Sequence, residues 1–413
     1  MKKKIAFVII RYGADVNGGA ELHCRMLAER LVSYYDVEVL TSTIRIFGNP
    51  ERDYPAGIET ENGVSVRRFP AQPVDGANYG LFRNRCKRAR RLRQYLHAVG
   101  LLRPISSLHP IWTFGTEQEL RYFLSQEGHT PELLEHIAAH HEEYTALIFM
   151  NFYYGQAVLG SVIAPEKSIL VPMAHPDKPL YYSMNAPMFT RVRHIAFNTP
   201  AEERLCRSVF GRAMAPCSIL GSGIEEAAPA DWEQVRTKYG LPDRYVLYLG
   251  RVTKPKIDQL LPNYERYLRR YGNQQAALVL TGGIDPDIRR PENPSILFTG
   301  YVSDEEKSAI VRHATVMVNP SPMESLSLLM LEAMQNRIPL LINGRCEVMK
   351  DHCKLSGAAW WYNNAGDFCR KLHRLLSDPE LCRSMGEKGP DYVRKNYDWE
   401  VIIPKLRALI ESI

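Results

Sequence analysis

With 413 residues, 45% hydrophobic and 24% charged, the chain has a globular composition and suits two domains of about 200 residues each rather than one core. These proportions argue against disorder, and the net charge of +6 is modest. No stretch has the apolar length of a membrane span, and the eight cysteines lack CxxC or Cys/His spacing, which argues for a reducing compartment, free packed thiols and no structural zinc.

The opening Met1-Lys2-Lys3-Lys4 followed by Ile5–Ile10 mimics a signal peptide. Its apolar run is only six residues, however, ends at Arg11 and lacks a small-residue cleavage site, so it reads as a buried first strand. Gly19 to Val32 reads as a helix after a glycine-rich loop, and Val37–Leu40 as the next strand, giving a βαβ opening. Further strands are expected at Val64–Phe69, Ala146–Met150, Ile169–Val171 and His194–Phe197, with helices near 80–98, 132–141 and 200–210.

Residues 70–145 are basic and punctuated by Pro and Gly, and here the strand and helix register is hard to read. Arg83, Arg85, Lys87, Arg88, Arg90, Arg91 and Arg93 run without an acid. Helical spacing spreads these cations around much of the surface and leaves Leu92, Tyr95, Leu96 and Val99 on an apolar side. The run 83–93 reads either as a solvated helix face or as a contact with anionic membrane or a lipid diphosphate acceptor. A nucleic acid partner is not expected, because no aromatic interleaving or nucleic-acid motif accompanies the charge. His136, His140 and His141 have a spacing able to chelate metal, but without a carboxylate motif they read as a polar helix end.

After a small-residue and acidic stretch from Gly221 to Asp231 the alternation restarts, which puts a domain boundary near 218–230. Strands are expected at Tyr245–Leu249, Ala277–Thr281, Ile296–Phe298, Thr315–Asn319, Ile338–Ile342 and Ala358–Trp361, with helices between them, one near 257–271. Such alternation implies two doubly wound units, mostly parallel sheets with helices on both faces. Ligands of these sheets bind outside the carboxyl ends of the strands, so two facing sheets are expected to share a cleft. The last helix, 399–413, is expected to return to the first domain. Asp285-Pro286-Asp287 has a metal-type DxD spacing, but it follows Gly282-Gly283 and contains a proline, so it reads as a turn.

Strand Tyr245–Leu249 runs into Gly250-Arg251-Val252-Thr253-Lys254-Pro255-Lys256. An arginine fork and a mobile lysine charge at a strand end suit a leaving diphosphate, although alone they describe any basic surface loop. Thr315–Asn319 is broken by Pro320 and Pro322 and followed by helix formers from Leu326 to Gln335. A helix start is therefore aimed out of a sheet edge, with the amides of Ser325, Leu326, Ser327 and Leu328 placed to hold a phosphate or a sugar hydroxyl. Glu324 lies in the loop and Glu332 further along the helix. Two acceptor-only side chains flanking an anion site suit a nucleotide sugar, whereas the plainer reading is a helix cap and a surface ion pair.

Gly250, Arg251 and Lys256, together with Glu324 to Met334, match the Gly-Arg-x4-Lys and Glu-x7-Glu elements of a known family. The second half resembles the nucleotide-sugar-binding domain of the retaining GT-B glycosyltransferases of family 4, also called group 1. Two departures stand out: Ile257 follows the lysine where a glycine is frequent, and Ser325-Leu326-Ser327 replaces a frequent Gly-Phe-Gly. In the first half Asn17-Gly18-Gly19-Ala20-Glu21 resembles the family's Gly-Gly-Ala-Glu, and His175 resembles its histidine near the reacting carbon. Gly223-Ile224-Glu225 resembles the family's Gly-Val-Asp at the domain junction.

The resemblance implies an α/β fold of GT-B architecture, two doubly wound, Rossmann-like domains facing across a cleft. Residues 1–220 would bind the acceptor, residues 221–396 the nucleotide sugar, and 397–413 would pack back onto the first domain. The implied reaction moves a hexosyl group from a UDP- or GDP-sugar to a saccharide or lipid-linked acceptor hydroxyl, with retention, in surface polysaccharide or glycoconjugate biosynthesis. Arg251, Lys256 and the amides of 325–328 would meet the diphosphate, Glu324 the sugar hydroxyls, Glu332 the ribose, and the backbone of Tyr301 and Val302 the base edge. Gly18 and Gly19 would approach the diphosphate or sugar, and His175 would place the sugar. No cofactor, metal or nucleic acid is expected, and the location implied is cytoplasmic, with peripheral attachment to the inner membrane face as the alternative. Rival readings on the same fold are a sugar-nucleotide epimerase, a disaccharide phosphorylase, and a non-catalytic sugar-nucleotide-binding scaffold.

Overall fold

The computed structural model describes residues 2–16, 18–272 and 276–413. Asn17 of the glycine motif lies outside the described residues. The chain divides into two compact units, Met1–Ser222 with Ile402–Ile413, and Gly223–Val401.

The first unit is built on eight strands: β1 (Lys4–Val8), β2 (Asp36–Ser42), β3 (Gly57–Glu61), β4 (Val64–Phe69), β5 (Ala146–Met150), β6 (Ser168–Val171), β7 (His194–Phe197) and β8 (Cys217–Ile219). They lie in the order β3-β4-β2-β1-β5-β6-β7-β8, parallel except for β3 against β4. Strands β5 and β6 are buried along their whole length and almost wholly apolar, as a parallel sheet covered by helices requires. The helix Gly19–Leu31 turns Cys24, Leu27, Ala28 and Leu31 inward, one stripe at helical spacing. The helix Trp399–Glu411 buries Ile402, Leu406 and Ile410, and Glu411 accepts from Lys3 at 2.5 Å and from Tyr35 at 2.7 Å.

The second unit has six parallel strands: β9 (Tyr245–Leu249), β10 (Ala277–Thr281), β11 (Ile296–Gly300), β12 (Val316–Asn319), β13 (Leu340–Asn343) and β14 (Ala359–Tyr362). Their order is β11-β10-β9-β12-β13-β14. The chain lays down three strands in one direction from β9, then returns to build outward from its other side. The switch point therefore falls between β9 and β12, and the loops leaving those strands emerge side by side. Where this unit begins, Gly223 lies against the Trp399 indole so closely that a Cβ on Gly223 would fall 2.2 Å from the ring.

The basic segment corrects one expectation. It forms two helices, Gly76–Arg85 and Lys87–Ala98, and the second turns two of its arginines inward. Arg93 is 1% exposed, its guanidinium 4.8 Å from the centre of the Trp112 ring, and Arg90 is also buried. Leu92, Tyr95 and Val99 face outward instead. The aromatic face offered by Trp112 explains how Arg93 is accommodated inside. No helix among the described residues is long and apolar enough to cross a membrane.

Candidate active site

The loop leaving β9 is fastened backbone to backbone to the loop leaving β10. Gly250 N–H donates to Thr281 at 2.9 Å, Val252 N–H to Gly283 at 2.8 Å, and Asp285 N–H to Val252 at 3.0 Å. At Gly282, φ is +136° and a Cβ would sit 2.2 Å from the Gly250 carbonyl oxygen, so only glycine fits there. This seam aims Arg251 at Asp285, to which its Nε and Nη2 donate at 3.1 and 2.9 Å. Asp285 of the DxD triplet is thus the partner of a predicted phosphate ligand.

Past the seam, the short helix Lys254–Ile257 points Lys256 across the switch point to the loop leaving β12. Lys256 Nζ donates to Glu324 Oε1 at 2.6 Å. The same corner gathers three further polar side chains. Asp258, at φ +43°, is paired with Arg345 after β13, and Asn343 Nδ2 donates to the Pro320 carbonyl at 2.8 Å. Arg345 was not singled out in the sequence, although Gly344-Arg345 after a strand repeats the Gly250-Arg251 pattern.

The helix that follows starts at Leu328, two residues later than its apolar pattern suggests, because Ser327 takes a left-handed conformation at φ +66°. Asn319 Nδ2 donates to Ser327 Oγ at 3.1 Å, while the Ser327 carbonyl accepts from Met330 N–H at 2.9 Å. Leu326 is buried, and its carbonyl oxygen is 2.9 Å from His352 Nε2. A carbonyl can only accept, so Nε2 carries the proton and Nδ1 accepts from the Tyr392 hydroxyl at 2.8 Å. Burial holds this ring neutral, its pKa lowered to about 4. His352 thereby braces the loop of Ser325, Leu326 and Ser327 from beneath, a role no sequence pattern announced.

Glu332 sits one to two turns further along that helix, beside a small, partly open pocket lined also by Ile224, Glu225, Lys307 and Ser308. Burial raises the Glu332 pKa against the pull of Lys307, whose Nζ is 3.5 Å away and which also reaches Asp304 at 3.3 Å. The two carboxylates keep Lys307 protonated. Ser308 is 5% exposed and its hydroxyl has no hydrogen-bond partner among the described residues. Glu332 and Glu324 are therefore held by different lysines. Tyr301 is largely exposed and Val302 buried, at the turn after β11 where Gly300 N-terminal to them has φ +74°.

In the first unit, Gly18 caps the helix Gly19–Leu31, and its carbonyl accepts from Leu22 N–H at 2.9 Å. Glu21, one turn in, accepts from Arg11 Nη2 at 2.5 Å, and Arg11 stacks over Phe47 at 4.5 Å. His175 leaves β6 half-buried, with its ring 6.3 Å from that of Tyr153, whose hydroxyl donates to Asp177 at 2.6 Å. The preceding Met173 has φ +55°. Its strained turn is held by Glu202, a fully buried carboxylate that accepts from Ala174 N–H at 2.5 Å and Asn198 N–H at 2.7 Å. Burial pushes Glu202 up to about 8, against the opposing effect of those amides. Of the possible chelating trio, His136 and His140 lie with ring centres 4.5 Å apart, while His136 Nε2 is 3.2 Å from the Tyr144 hydroxyl and His140 Nδ1 2.7 Å from Glu143.

The profile of the family described as Glycosyl transferases group 1 matches residues 243–378, the stretch that carries β9 through β14 and both glutamates. Over that stretch the chain is similar to the group 1 glycosyl transferases. The uncharacterized glycosyltransferase MJ1607 of Methanocaldococcus jannaschii is 23% identical, over 97% of this chain and 95% of that one. Alpha-D-kanosaminyltransferase of Streptomyces kanamyceticus is 26% identical over 44% of this chain, an alignment that spans about half, 49%, of that relative. Among solved structures, sucrose-phosphate synthase from Thermosynechococcus elongatus superposes with a TM-score of 0.68 at 15% identity, covering 100% of this chain and 99% of that one. Anabaena HepE in complex with UDP and glucose gives 0.67 at 14% identity, with 100% of each chain covered. The chain accordingly has the GT-B architecture of two Rossmann-like α/β domains.

Proposed function

We propose that the protein is a retaining hexosyltransferase, moving a hexosyl group from a UDP- or GDP-sugar to the hydroxyl of a saccharide or lipid-linked acceptor in surface polysaccharide or glycoconjugate synthesis. The observation that carries this reading is the contact of Lys256 with Glu324 at the β9/β12 switch point, beside the helix start at Leu328. An ammonium, a carboxylate and helix-end N–H groups meet in one loop cluster there. The diphosphate lies against Lys256, Arg251 and the amides of 325–328. Arg251 leaves Asp285 to reach it, at small cost because that guanidinium is largely exposed. Glu324 accepts from sugar hydroxyls, Glu332 from the ribose, and the Tyr301-Val302 backbone meets the base edge. Anabaena HepE, of the same fold, has been solved with UDP and with UDP-glucose, which makes UDP-sugars the first donors to try.

In the transfer, the acceptor oxygen attacks the anomeric carbon on the face the diphosphate leaves. The bond from that carbon to the phosphate oxygen breaks, and the departing oxygen takes the acceptor's proton. Charge grows on the diphosphate and is met by Arg251, Lys256 and the amides, the electrostatic contribution that usually dominates such steps. Gly18 and Gly19 give the backbone close approach to the diphosphate or sugar, and His175 places the sugar. With those cations in place the reaction needs no divalent metal, and turnover survives chelation.

Thermal shift against UDP-, GDP- and ADP-sugars, followed by product analysis, tests the reading, since a ligand bound by the folded state raises its melting point. A panel in which no donor stabilises the protein overturns it. Release of an isomer from donor alone, or of a sugar phosphate from donor and phosphate, transfers the assignment to an epimerase or a phosphorylase.

A further inference from the structure

The helix Lys87–Ala98 turns Ala89 and Leu96 towards the core, as a helix in water does, but it takes two arginines in with them and leaves apolar side chains outside. It buries Arg93 and Arg90 and exposes Leu92 at 42%, Tyr95 at 64% and Val99 at 47%. With exposed Arg88, these three fall at spacings of four, three and four, a single stripe along one face. The apolar surface continues past the helix end through Leu101, 51% exposed, and Leu108, 78% exposed. All three guanidinium nitrogens of Arg93 lack a hydrogen-bond partner among the described residues, and its inward charge is met by the Trp112 face and, electrostatically, by the buried Glu119 carboxylate. A solvated helix has no reason to hide arginines and show leucines.

The charge around the stripe identifies what covers it. From Gly76 to Thr116 the chain carries eight Arg or Lys residues and no Asp or Glu. Arg88, Arg91 and Arg103 are exposed beside the apolar residues. A second copy of this chain would bring one cationic face against another, whereas anionic headgroups satisfy the cations while the acyl boundary takes the apolar side chains. We propose that the face of Leu92, Tyr95, Val99, Leu101 and Leu108 is a membrane-docking surface that lies in the headgroup layer of an anionic bilayer, with Arg88, Arg91 and Arg103 on lipid phosphates. The contact is thus an apolar stripe edged by cations, and the buried Arg90 and Arg93 take no part in it. It goes beyond the transfer reaction and is read without donor or acceptor.

The test is co-sedimentation of the full chain with vesicles of phosphatidylcholine alone or mixed equally with phosphatidylglycerol. Wild type partitions onto the anionic vesicles, less so on adding salt, and hardly onto the neutral ones. Leu92→Ser with Tyr95→Ser, and separately Arg88→Glu with Arg91→Glu, each lower partitioning about tenfold or more, with an unchanged melting point because the residues are exposed. Leu355→Ser, at an exposed apolar position in the second unit, leaves it unchanged. Failure of wild type to partition at low salt overturns the proposal, as does equal partitioning by either double variant. It is overturned too if wild type is a dimer in solution that the serine pair makes monomeric without any change in vesicle binding.

Discussion

Lys256 and Glu324, 68 positions apart in the chain, meet at 2.6 Å across the loops that leave two neighbouring parallel strands. The lysine is about half exposed, so the pair contributes under about 1 kcal/mol to stability. Its value lies in placement. Lys256→Ala is expected to lower turnover about 10²-fold or more while leaving the melting point nearly unchanged, by analogy with loss of one oxyanion donor. Steady-state kinetics beside a thermal melt check this, and wild-type turnover in the variant removes Lys256 from the chemistry.

The Arg251–Asp285 pair separates two roles for the Asp-Pro-Asp triplet. If Asp285 only parks Arg251, Asp285→Asn leaves activity within about threefold of wild type, whereas Arg251→Ala loses about 10²-fold. Loss of activity in Asp285→Asn that added divalent metal restores would instead make the triplet a metal ligand.

Glu332 faces a cavity rather than the Lys256 corner, so its removal is expected to act on binding. Glu332→Gln raises KM for the donor about tenfold with kcat little changed, the pattern of lost uniform binding. A fall in kcat at constant KM contradicts the ribose role.

Two buried neutral histidines set an acid limit. His352 in the second unit and His23 in the first are held near pKa 4, below the ordinary 6.5, by burial. The unfolded chain binds protons there that the folded chain does not. Stability is therefore fully present above about pH 6.5 and falls as pH drops towards 4, by up to about 3 kcal/mol per ring. Melting curves at pH 7, 6, 5 and 4 show the decline, and His352→Gln makes its acid limb shallower. A flat profile refutes the buried neutral assignment.

At Gly282 an alanine meets both a carbonyl and an unfavourable φ. Gly282→Ala is expected to cost about 2–4 kcal/mol, read by denaturant unfolding, and an equal loss at Gly283, where nothing lies within 4 Å of a Cβ, contradicts the seam between the two loops.

Much of this was legible in the chain. Strands β4, β5, β7, β9 and β10 were read with their observed bounds, β5, β7, β9 and β10 because buried parallel strands are largely apolar runs between breakers, and β4 because its apolar residues begin in alternation. β3 was missed since its residues are almost all exposed and Ile58 is its only large apolar side chain, leaving no alternation to see. β8 was missed because three residues after Pro216 carry no period. Lys256 and Glu324 were each readable, but their meeting depends on the strand order that sets β9 beside β12. Arg93 was misread as outward because a charge run defaults to solvent, and the indole that shelters it lies 19 positions on, in another segment. Glu202 and His352 were unreadable for a related reason. Glu202 is held by main-chain N–H groups and His352 partly by a main-chain carbonyl, and a backbone leaves no trace in a sequence.

The crowding of Gly223 against Trp399 has a topological consequence. The polypeptide leaves the first unit after residue 222 and rejoins it at 402, within its last helix, and Gly223 and Trp399 beside these crossings are in contact. The intervening stretch is an insert whose entrance and exit adjoin. Such a cassette can be exchanged whole between relatives without cutting a strand of either sheet, and a single nick in either crossing leaves it tethered by the other.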